Sequence, residues 1–206
     1  MTDIESRIPG TAGYAENADF LVEQYESIAF EDIYRPLIAL LPAGGRALDI
    51  GAGTGRDAAA LAGRGFQVHA VEPTGELRAH GQRLHPDPAI TWSDDALPDL
   101  AKTDAGGVRF DLVLMTAVWM HLDESERARA LPRVAELLVP GGRLFMSVRK
   151  GPVPPGRRMF EVPIDALIAE AQGLGLDLLQ RHDTGDMFNR GDVTWTKLAF
   201  ERGNRV

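Results

Sequence analysis

The sequence "DIGAGTG", which spans Asp49–Gly55, constrains the fold more than any other part of the chain. It lies between the apolar run "RALDI" and the alanine-rich segment "RDAAALAG", which are typical of a β-strand and an α-helix. Glycine loses much backbone entropy inside regular elements, so three glycines placed two residues apart need a reason. The spacing predicts a strand–loop–helix unit whose loop backbone passes close to a ligand.

Further strands and helices alternate along the rest of the chain. The later predicted strands are "FQVHAVEP", "AITW", "RFDLVLMTA", "PGGRLFMSVR", "GLDLLQRHD" and "DVTWTKLAFE". The helices between them are predicted in "TGELRAHGQRL", N-capped by Thr74, in "LDESERARALPRVAELL", with a capping box of Asp123 and Glu126, and in "VPIDALIAEAQGLGL". Pro132 predicts a kink or a restart in the second of these helices. The pattern predicts an α/β fold: a Rossmann-like, doubly wound, mostly parallel seven-stranded sheet with helices on both faces.

The length of 206 residues fits one domain. Residues 1–42 are expected to form an N-terminal helical cap within that domain, and residues 43–206 to form its ligand-binding part. In the cap, "ENADFLVEQYESI" has apolar residues at helical spacing, and Pro36 predicts the start of a second helix.

The composition argues against several classes of function. A net charge of −8 disfavours nucleic-acid binding, although the segment "VRKGPVPPGRR" is either a local basic patch or a solvated loop. The absence of cysteine excludes disulfides, thiolate zinc sites and a cysteine nucleophile, and the histidine spacing predicts no metal site.

The sequence also predicts no association with a membrane. The N-terminal "MTDIESRIPG" is acidic and polar, and no apolar run approaches the ~18 residues needed to span a bilayer. We therefore expect a cytoplasmic protein.

The glycine loop does not match the common phosphate-binding patterns. In the dinucleotide fingerprint G-x-G-x-x-G, the third glycine position counted from Gly51 is occupied by Arg56, and no Gly-Lys-Ser/Thr follows as in a P-loop. A carboxylate at Asp49 would repel a pyrophosphate and favour an ammonium group. The loop therefore indicates a ligand with a cationic group.

The motif D-x-G-x-G-x-G after the first strand, Glu72 at the end of the second and a hydrophobic fourth strand together resemble class I S-adenosylmethionine (SAM)-dependent methyltransferases. The resemblance covers about residues 40–150. It implies that the last strand is antiparallel, that SAM is the cofactor and S-adenosylhomocysteine (SAH) its product.

The resemblance also implies a set of cofactor-binding residues. Glu72 would accept hydrogen bonds from both ribose hydroxyls, and either Asp94 or Asp95 would contact the adenine amino group. The full implied set is Tyr25, Asp49, Gly51, Ala52, Gly53, Thr54, Gly55, Glu72, Pro73, Asp94, Asp95, Ala96, Thr116 and Ala117.

Acceptor binding is expected beyond the fourth strand. His121 is the best-placed general base, with a local role in capping the next helix as the alternative. Trp119 is either a substrate wall or core packing. Arg149, Arg158, Phe188 and Arg190 are expected to line the acceptor pocket if their loops face it, and Tyr14 to lie near the cofactor with Tyr25.

The expected function is methyl transfer to an oxygen or nitrogen of a small-molecule acceptor by in-line displacement, in a monomer or homodimer. Two alternatives remain at this point. One is a non-catalytic SAM-binding regulatory module, and the other is a nucleotide-binding oxidoreductase, against which the missing third glycine counts.

Overall fold

The computed structural model describes residues 8–103 and 107–204. Seven strands are present: β1 Gly45–Ile50, β2 Phe66–Val71, β3 Ile90–Ser93, β4 Phe110–Thr116, β5 Leu138–Lys150, β6 Leu176–Gly185 and β7 Thr194–Arg202. The α-helices are α1 Ala18–Glu26, α2 Phe30–Tyr34, α3 Arg56–Ala62, α4 Gly75–Leu84, α5 Glu124–Leu137 and α6 Ile164–Gly173. No helix in these two ranges has the length and apolar character that crossing a membrane requires.

The strands form one sheet in the order β3-β2-β1-β4-β5-β7-β6. β7 runs antiparallel to both of its neighbours, while β1 to β5 pair in parallel wherever they adjoin. The predicted seven-stranded α/β sheet with an antiparallel last strand is therefore confirmed. The chain moves outward from β1 to β3 and then returns to β4 on the other side of β1, so the carboxyl ends of β1 and β4 flank a crevice suited to ligand binding.

Two apolar cores cover the two faces of the sheet. One contains Leu131 and Val134 of α5 and Leu167 of α6, together with alternate residues of the central strands. The other contains Tyr34 of α2 and Leu61 of α3, together with the remaining alternate residues. β4 is buried from Leu112 to Met115 on both faces, as its continuous apolar run predicts.

The N-terminal segment differs from its predicted form at Pro36. The second helix, α2, covers Phe30–Tyr34 and so ends before this proline. Proline has no N–H to continue a helical ladder, and only a short 3₁₀ turn, Ile38–Leu40, follows it. The division of the domain at residues 42 and 43 stays a prediction, and residues 1–7 lie outside the described part of the chain.

One of the two predicted helix caps is present in the structure, and the other is not. Asp123 and Glu126 form the predicted capping box at the start of α5, and this helix continues through Pro132 without a restart. Thr74 occupies the N-cap position of α4, but its side chain accepts no hydrogen bond there. Its backbone N–H instead donates to Glu72 at 2.7 Å, which ties this helix start to the end of β2.

Candidate active site

A cavity of about 580 Å³ lies at the carboxyl edge of the parallel strands. This volume falls within the range of small-molecule and cofactor sites. The loops that follow β1, β2, β3 and β4 line it on one side, and the N-terminal segment, the loop after β5 and residues 184–190 line it on the other.

The three glycines of the loop all have backbone conformations that side chains rarely adopt, with φ of +69° at Gly51, +57° at Gly53 and +83° at Gly55. A Cβ atom at Gly51 would lie 2.6 Å from the Val118 side chain, and one at Gly55 would lie 2.8 Å from the ring of Trp92. A Cβ at Gly53 would meet only the ring of Tyr25, at 3.6 Å. Tight packing therefore excludes side chains at two positions, while Gly53 faces the cavity.

Asp49 lies beneath this loop and is almost completely buried. Its Oδ2 atom has no hydrogen-bond partner among the described residues. Burial, followed by the nearby charge of Asp57, raises the pKa of the Asp49 carboxyl well above its usual range. A buried carboxylate oxygen without a donor, in the wall of a cavity, fits a ligand that brings an ammonium group.

Glu72 closes the loop from the end of β2. Its Oε2 accepts a hydrogen bond from the backbone N–H of Gly53 at 2.8 Å, and its Oε1 accepts from that of Thr74 at 2.7 Å. Burial raises the pKa of this carboxyl. A carboxylate has about four acceptor sites, so this one has capacity beyond the two backbone bonds for a hydroxyl of a ligand.

The structure separates the two aspartates after β3. Asp94 is exposed and faces Arg78 at 3.6 Å, and it does not line the cavity. Asp95 is buried, lines the cavity and accepts from the backbone N–H groups of Ala96 at 3.0 Å and Thr103 at 2.8 Å. Asp95 is therefore the aspartate that is placed to meet a ligand.

A hydrogen-bond chain fixes the loop to its surroundings. The Tyr34 hydroxyl donates to Thr116, and the Thr116 hydroxyl donates to Asp57 at 2.6 Å. Arg56 pairs with the other oxygen of Asp57 at 2.7 Å and donates to the backbone carbonyl of Tyr25 at 3.1 Å. Arg56, which stands where a dinucleotide loop has glycine, thus joins α3 to α1.

The N-terminal segment brings two tyrosines into the cavity. The Tyr14 hydroxyl lies 2.9 Å from Nε2 of His121, and Nδ1 of His121 lies 2.7 Å from the carbonyl oxygen of Arg158. Because a carbonyl only accepts, Nδ1 carries the proton and Nε2 accepts from Tyr14. Burial raises the pKa of Tyr14 and Tyr25 and lowers that of His121. His121 makes no capping bond to α5, whose cap is Asp123.

Two of the residues predicted to bind the acceptor lie elsewhere. Trp119 is buried in the core beneath α5, because its indole fills the apolar space between that helix and the sheet. The Arg158 side chain does not line the cavity and pairs with Asp123 at 2.9 Å and Glu126 at 2.8 Å. These contacts stabilise the start of α5, so neither side chain is placed to bind an acceptor.

The remaining predictions can be placed by their position relative to the cavity. Those that line it are Tyr14, Tyr25, Asp49, Gly51, Ala52, Gly53, Thr54, Glu72, Pro73, Asp95, Ala96, Thr116, Ala117, His121, Arg149, Phe188 and Arg190. Gly55, Asp94, Trp119 and Arg158 do not. Gly55 supports the loop through its packing against Trp92.

Arg157 and Lys197 also line the cavity, although neither was among the predicted site residues. Arg157 places its guanidinium carbon 3.5 Å from the ring centroid of Tyr14. Lys197 of β7 is buried and donates to the Ser147 hydroxyl at 2.7 Å, and burial lowers its pKa to about 8. The available signal for Lys197 was a lysine directly before the apolar residues "LAF", and that for Arg157 was the basic segment "VRKGPVPPGRR", whose alternative was a solvated loop.

No group of three or more His, Asp or Glu side chains within residues 8–103 and 107–204 is arranged to hold a metal ion.

Comparison with protein families gives a match over most of the chain. A family described as a methyltransferase domain matches residues 22–193. An uncharacterized methyltransferase of Mycobacterium tuberculosis is 39% identical over 107 residues, which are 51% of this chain and 40% of that protein. A ubiquinone biosynthesis O-methyltransferase of Xanthomonas axonopodis pv. citri is 36% identical over 113 residues, 52% of this chain and 44% of that protein. The matched region thus spans less than half the length of these two relatives.

Solved structures with a similar fold include a Burkholderia thailandensis 1,6-didemethyltoxoflavin-N1-methyltransferase, with its substrate and SAH bound. It is 20% identical, covers 92% of this chain and 88% of its own, and has a TM-score of 0.68. A TehB-like SAM-dependent methyltransferase of Corynebacterium glutamicum is 22% identical, covers 91% and 98%, and has a TM-score of 0.65.

Proposed function

Because this chain belongs to the methyltransferase-domain family, we propose that it transfers the methyl group of SAM to an oxygen or nitrogen atom of a small-molecule acceptor. The family covers residues 22–193, which include every loop that lines the cofactor side of the cavity.

The observation that carries this proposal is the unpartnered Oδ2 atom of Asp49. The methionyl end of SAM has an ammonium group, whereas the pyrophosphate of a dinucleotide is anionic. An ammonium hydrogen bond would satisfy the buried oxygen and favour the ionised carboxyl, but a phosphate would be repelled. The charge of this residue therefore favours SAM over a nicotinamide dinucleotide.

The other cofactor contacts follow from the loops around the cavity. Glu72 would hold the ribose hydroxyls with the lone pairs that Gly53 and Thr74 leave free. Asp95 would accept from the adenine amino group, and the side chains of Ala96 and Leu97 would pack on the ring.

SAM supplies a methyl group on a positively charged sulfur, which is already a good leaving group. In the reaction a bond forms between the acceptor atom and the methyl carbon while the carbon–sulfur bond breaks, and its electron pair stays on sulfur. The protein aligns the reactants and excludes water. Tyr14, Tyr25 and the loop after β5 cover the cavity for this purpose.

A proton leaves the acceptor when the attacking group is a hydroxyl or a protonated amine. Nε2 of His121 can take it through the Tyr14 hydroxyl, which donates to that nitrogen at 2.9 Å. The lowered pKa of His121 keeps its imidazole neutral near pH 7 and ready to accept. His121 is therefore proposed as the base and Tyr14 as the group that touches the acceptor.

The test begins with calorimetric titration of the protein with SAH and, separately, with NAD and NADP. We expect SAH to bind and the dinucleotides not to bind. A methyl-labelled SAM assay against a panel of phenols, carboxylic acids and amines then identifies the acceptor class. Binding of a dinucleotide without binding of SAH would refute the proposal. If SAH binds but no compound in the panel or in a small-molecule extract of cells accepts the labelled methyl group, a regulatory module would be favoured.

A further inference from the structure

Two arginines in the cavity lack carboxylate partners within the described part of the chain. The Nη1 atom of Arg157 is buried and has no hydrogen-bond acceptor. Among the described residues, the Arg149 side chain makes a single hydrogen bond, to the backbone carbonyl of Gly151 at 3.3 Å. Both residues line the cavity. A buried arginine nitrogen is rarely without an acceptor, so Nη1 of Arg157 indicates a ligand group that supplies one, and the partly exposed Arg149 has donors available for the same group.

Other arginines near the cavity do have carboxylate partners. Arg158 pairs with Asp123 and Glu126, and Arg190 makes a two-point contact with Asp186 at 2.7 and 2.8 Å. Among the described arginines that line the cavity, Arg56 and Arg190 thus have carboxylate partners, whereas Arg149 and Arg157 have none. This difference occurs in a chain whose net charge is −8, in which carboxylates outnumber cationic side chains.

Arg149 and Arg157 act on the same part of the cavity. Arg157 stacks on the ring of Tyr14, whose hydroxyl binds His121. The positive charges of Arg157 and Arg149 both contribute to lowering the pKa of His121, after burial as the main cause. The two guanidinium groups thus lie within electrostatic range of the proposed base.

We propose that the methyl acceptor carries an anionic oxygen group, a carboxylate or a phosphate, which binds Arg157 and Arg149 beside Tyr14 and His121. This inference rests on the proposed function, because it identifies the substrate class for the same site. Guanidinium groups bind both anions through paired hydrogen bonds. The anion would satisfy Nη1 of Arg157 and hold the acceptor next to the base.

The methionyl end of SAM also carries a carboxylate, which is a second candidate for the anion that binds these two arginines. The experiment therefore has two arms, one for each source, and both use the full chain. The variants are Arg157→Gln and Arg149→Gln, with Arg83→Gln as a matched control at an exposed arginine outside the cavity. Circular dichroism melting verifies that each variant is folded, and either cavity variant alone is sufficient for the test.

In the first arm, benzoate, phenyl phosphate and uncharged benzamide are titrated into the protein saturated with SAH, by ligand-observed NMR. We expect benzoate or phenyl phosphate to bind the wild type at least tenfold more tightly than benzamide. This ratio should fall below threefold in Arg157→Gln or Arg149→Gln and stay unchanged in Arg83→Gln. An equal affinity for benzamide and both anions in the wild type would overturn the inference.

In the second arm, SAH is compared with its decarboxylated analogue. If Arg157 binds the acceptor, the affinity ratio of these two ligands is the same in Arg157→Gln as in the wild type. A ratio that collapses to one in Arg157→Gln, with the anion preference of the first arm retained, assigns this arginine to the cofactor and overturns the inference. Failure of the wild type to bind SAH would refute the proposed function instead, since the anion preference can still be measured without it.

Discussion

The Tyr14 hydroxyl donates a hydrogen bond of 2.9 Å to Nε2 of His121, across 107 residues of sequence. The other ring nitrogen donates to the carbonyl of Arg158 at 2.7 Å, which fixes the tautomer of the imidazole. The only lone pair of this buried histidine therefore faces a tyrosine of the N-terminal segment. This pair links the segment that covers the cavity to the loop that follows β4.

Replacing Tyr14 by phenylalanine removes this hydroxyl but keeps the ring on which Arg157 stacks. We expect kcat for the identified acceptor to fall by about 10²- to 10⁴-fold, the usual contribution of a positioned acid–base group. The affinity for SAH, measured by calorimetry, should change little because the hydroxyl is assigned to the acceptor. Unchanged turnover in both Tyr14→Phe and His121→Ala would remove this pair from the mechanism.

The same pair predicts the pH dependence of methyl transfer. Burial and the nearby arginines lower the pKa of His121 below its usual value of 6.5. With SAM at saturating concentration, the wild-type kcat/KM for the acceptor should therefore hold steady as the pH falls to 6.5 and decline only below it, when Nε2 becomes protonated. Measuring kcat/KM from pH 5 to 8 tests this decline. If kcat/KM falls to half its maximum above pH 6.5, the assignment is contradicted.

The buried carboxyl of Asp49 predicts that SAH binding releases protons. Its pKa is raised well above the usual range in the ligand-free protein, and an ammonium partner would lower it again. In the pH range between the carboxyl's pKa with ligand and its pKa without ligand, binding should then release up to about one proton, and affinity should rise with pH. Calorimetry in buffers of different ionisation enthalpy measures the release.

Asp49→Asn should abolish that proton release and weaken SAH binding by about 10- to 100-fold, the usual value of a hydrogen bond to a charged group. Asp94→Asn is the matched control, because this exposed aspartate lies outside the cavity. The hypothesis fails if both variants release the same number of protons as the wild type.

Alanine substitutions at Gly51 and Gly65 distinguish the cost of backbone strain from the cost of steric overlap. Both have positive φ, +69° and +88°, but a Cβ at Gly51 would lie 2.6 Å from Val118, whereas at Gly65 it would meet nothing within 4 Å. Gly65→Ala should lower the free energy of unfolding by about 1 kcal/mol, through backbone conformation alone. Gly51→Ala should lower it by about 3 kcal/mol, since overpacking adds to the strain.

Urea denaturation measures these changes, and a double variant tests their cause. Val118→Ala in the Gly51→Ala background should restore at least about 1 kcal/mol, because it removes the overlapping methyl groups. No recovery would show that the cost at Gly51 arises from the backbone only.

Lys197 predicts a pH-dependent stability. Burial lowers its pKa from 10.5 to about 8, so keeping it charged in the folded protein costs about 3 kcal/mol at neutral pH. The unfolded chain holds this proton up to pH 10.5 and the folded protein only up to about 8, so this contribution to stability rises with pH between those values. Lys197→Met should raise the free energy of unfolding at pH 7 by about 1–3 kcal/mol.

The stabilisation by Lys197→Met should shrink as the pH approaches 10.5. Urea denaturation of both proteins at pH 7 and pH 10 gives the comparison. A difference in the free energy of unfolding that is the same at both values would contradict the assigned cause.

The sheet and the residues that line the cavity after β1, β2 and β4 were largely predictable because their signals are local. The glycine loop, the apolar strands and Glu72 at a strand end each follow from a short stretch read with known periodicity. The resemblance to methyltransferases that these motifs carry is confirmed by the family match over residues 22–193. Asp94 and Asp95 could not be distinguished, since adjacent residues after a strand differ only in which one the next loop buries.

The acceptor side was harder to predict because it depends on contacts between distant segments. Arg157 and Arg158 are neighbours in a loop without periodicity, and only the packing of the N-terminal segment determines which one faces the cavity. Trp119 follows β4 directly, yet it turns into the core beneath α5. The hydrogen bond between Tyr14 and His121 leaves no trace in the sequence around either residue.

Different segments of the chain form the two sides of the cavity, and this makes the molecule suitable for directed evolution. Apart from Tyr25, the residues assigned to the cofactor follow β1 to β4, while residues 149–159 and 184–190 contribute to the opposite wall. A mutant library confined to these two segments would leave Asp49 and Glu72 untouched. Selection could then change the acceptor scope while the binding of the methyl donor is retained.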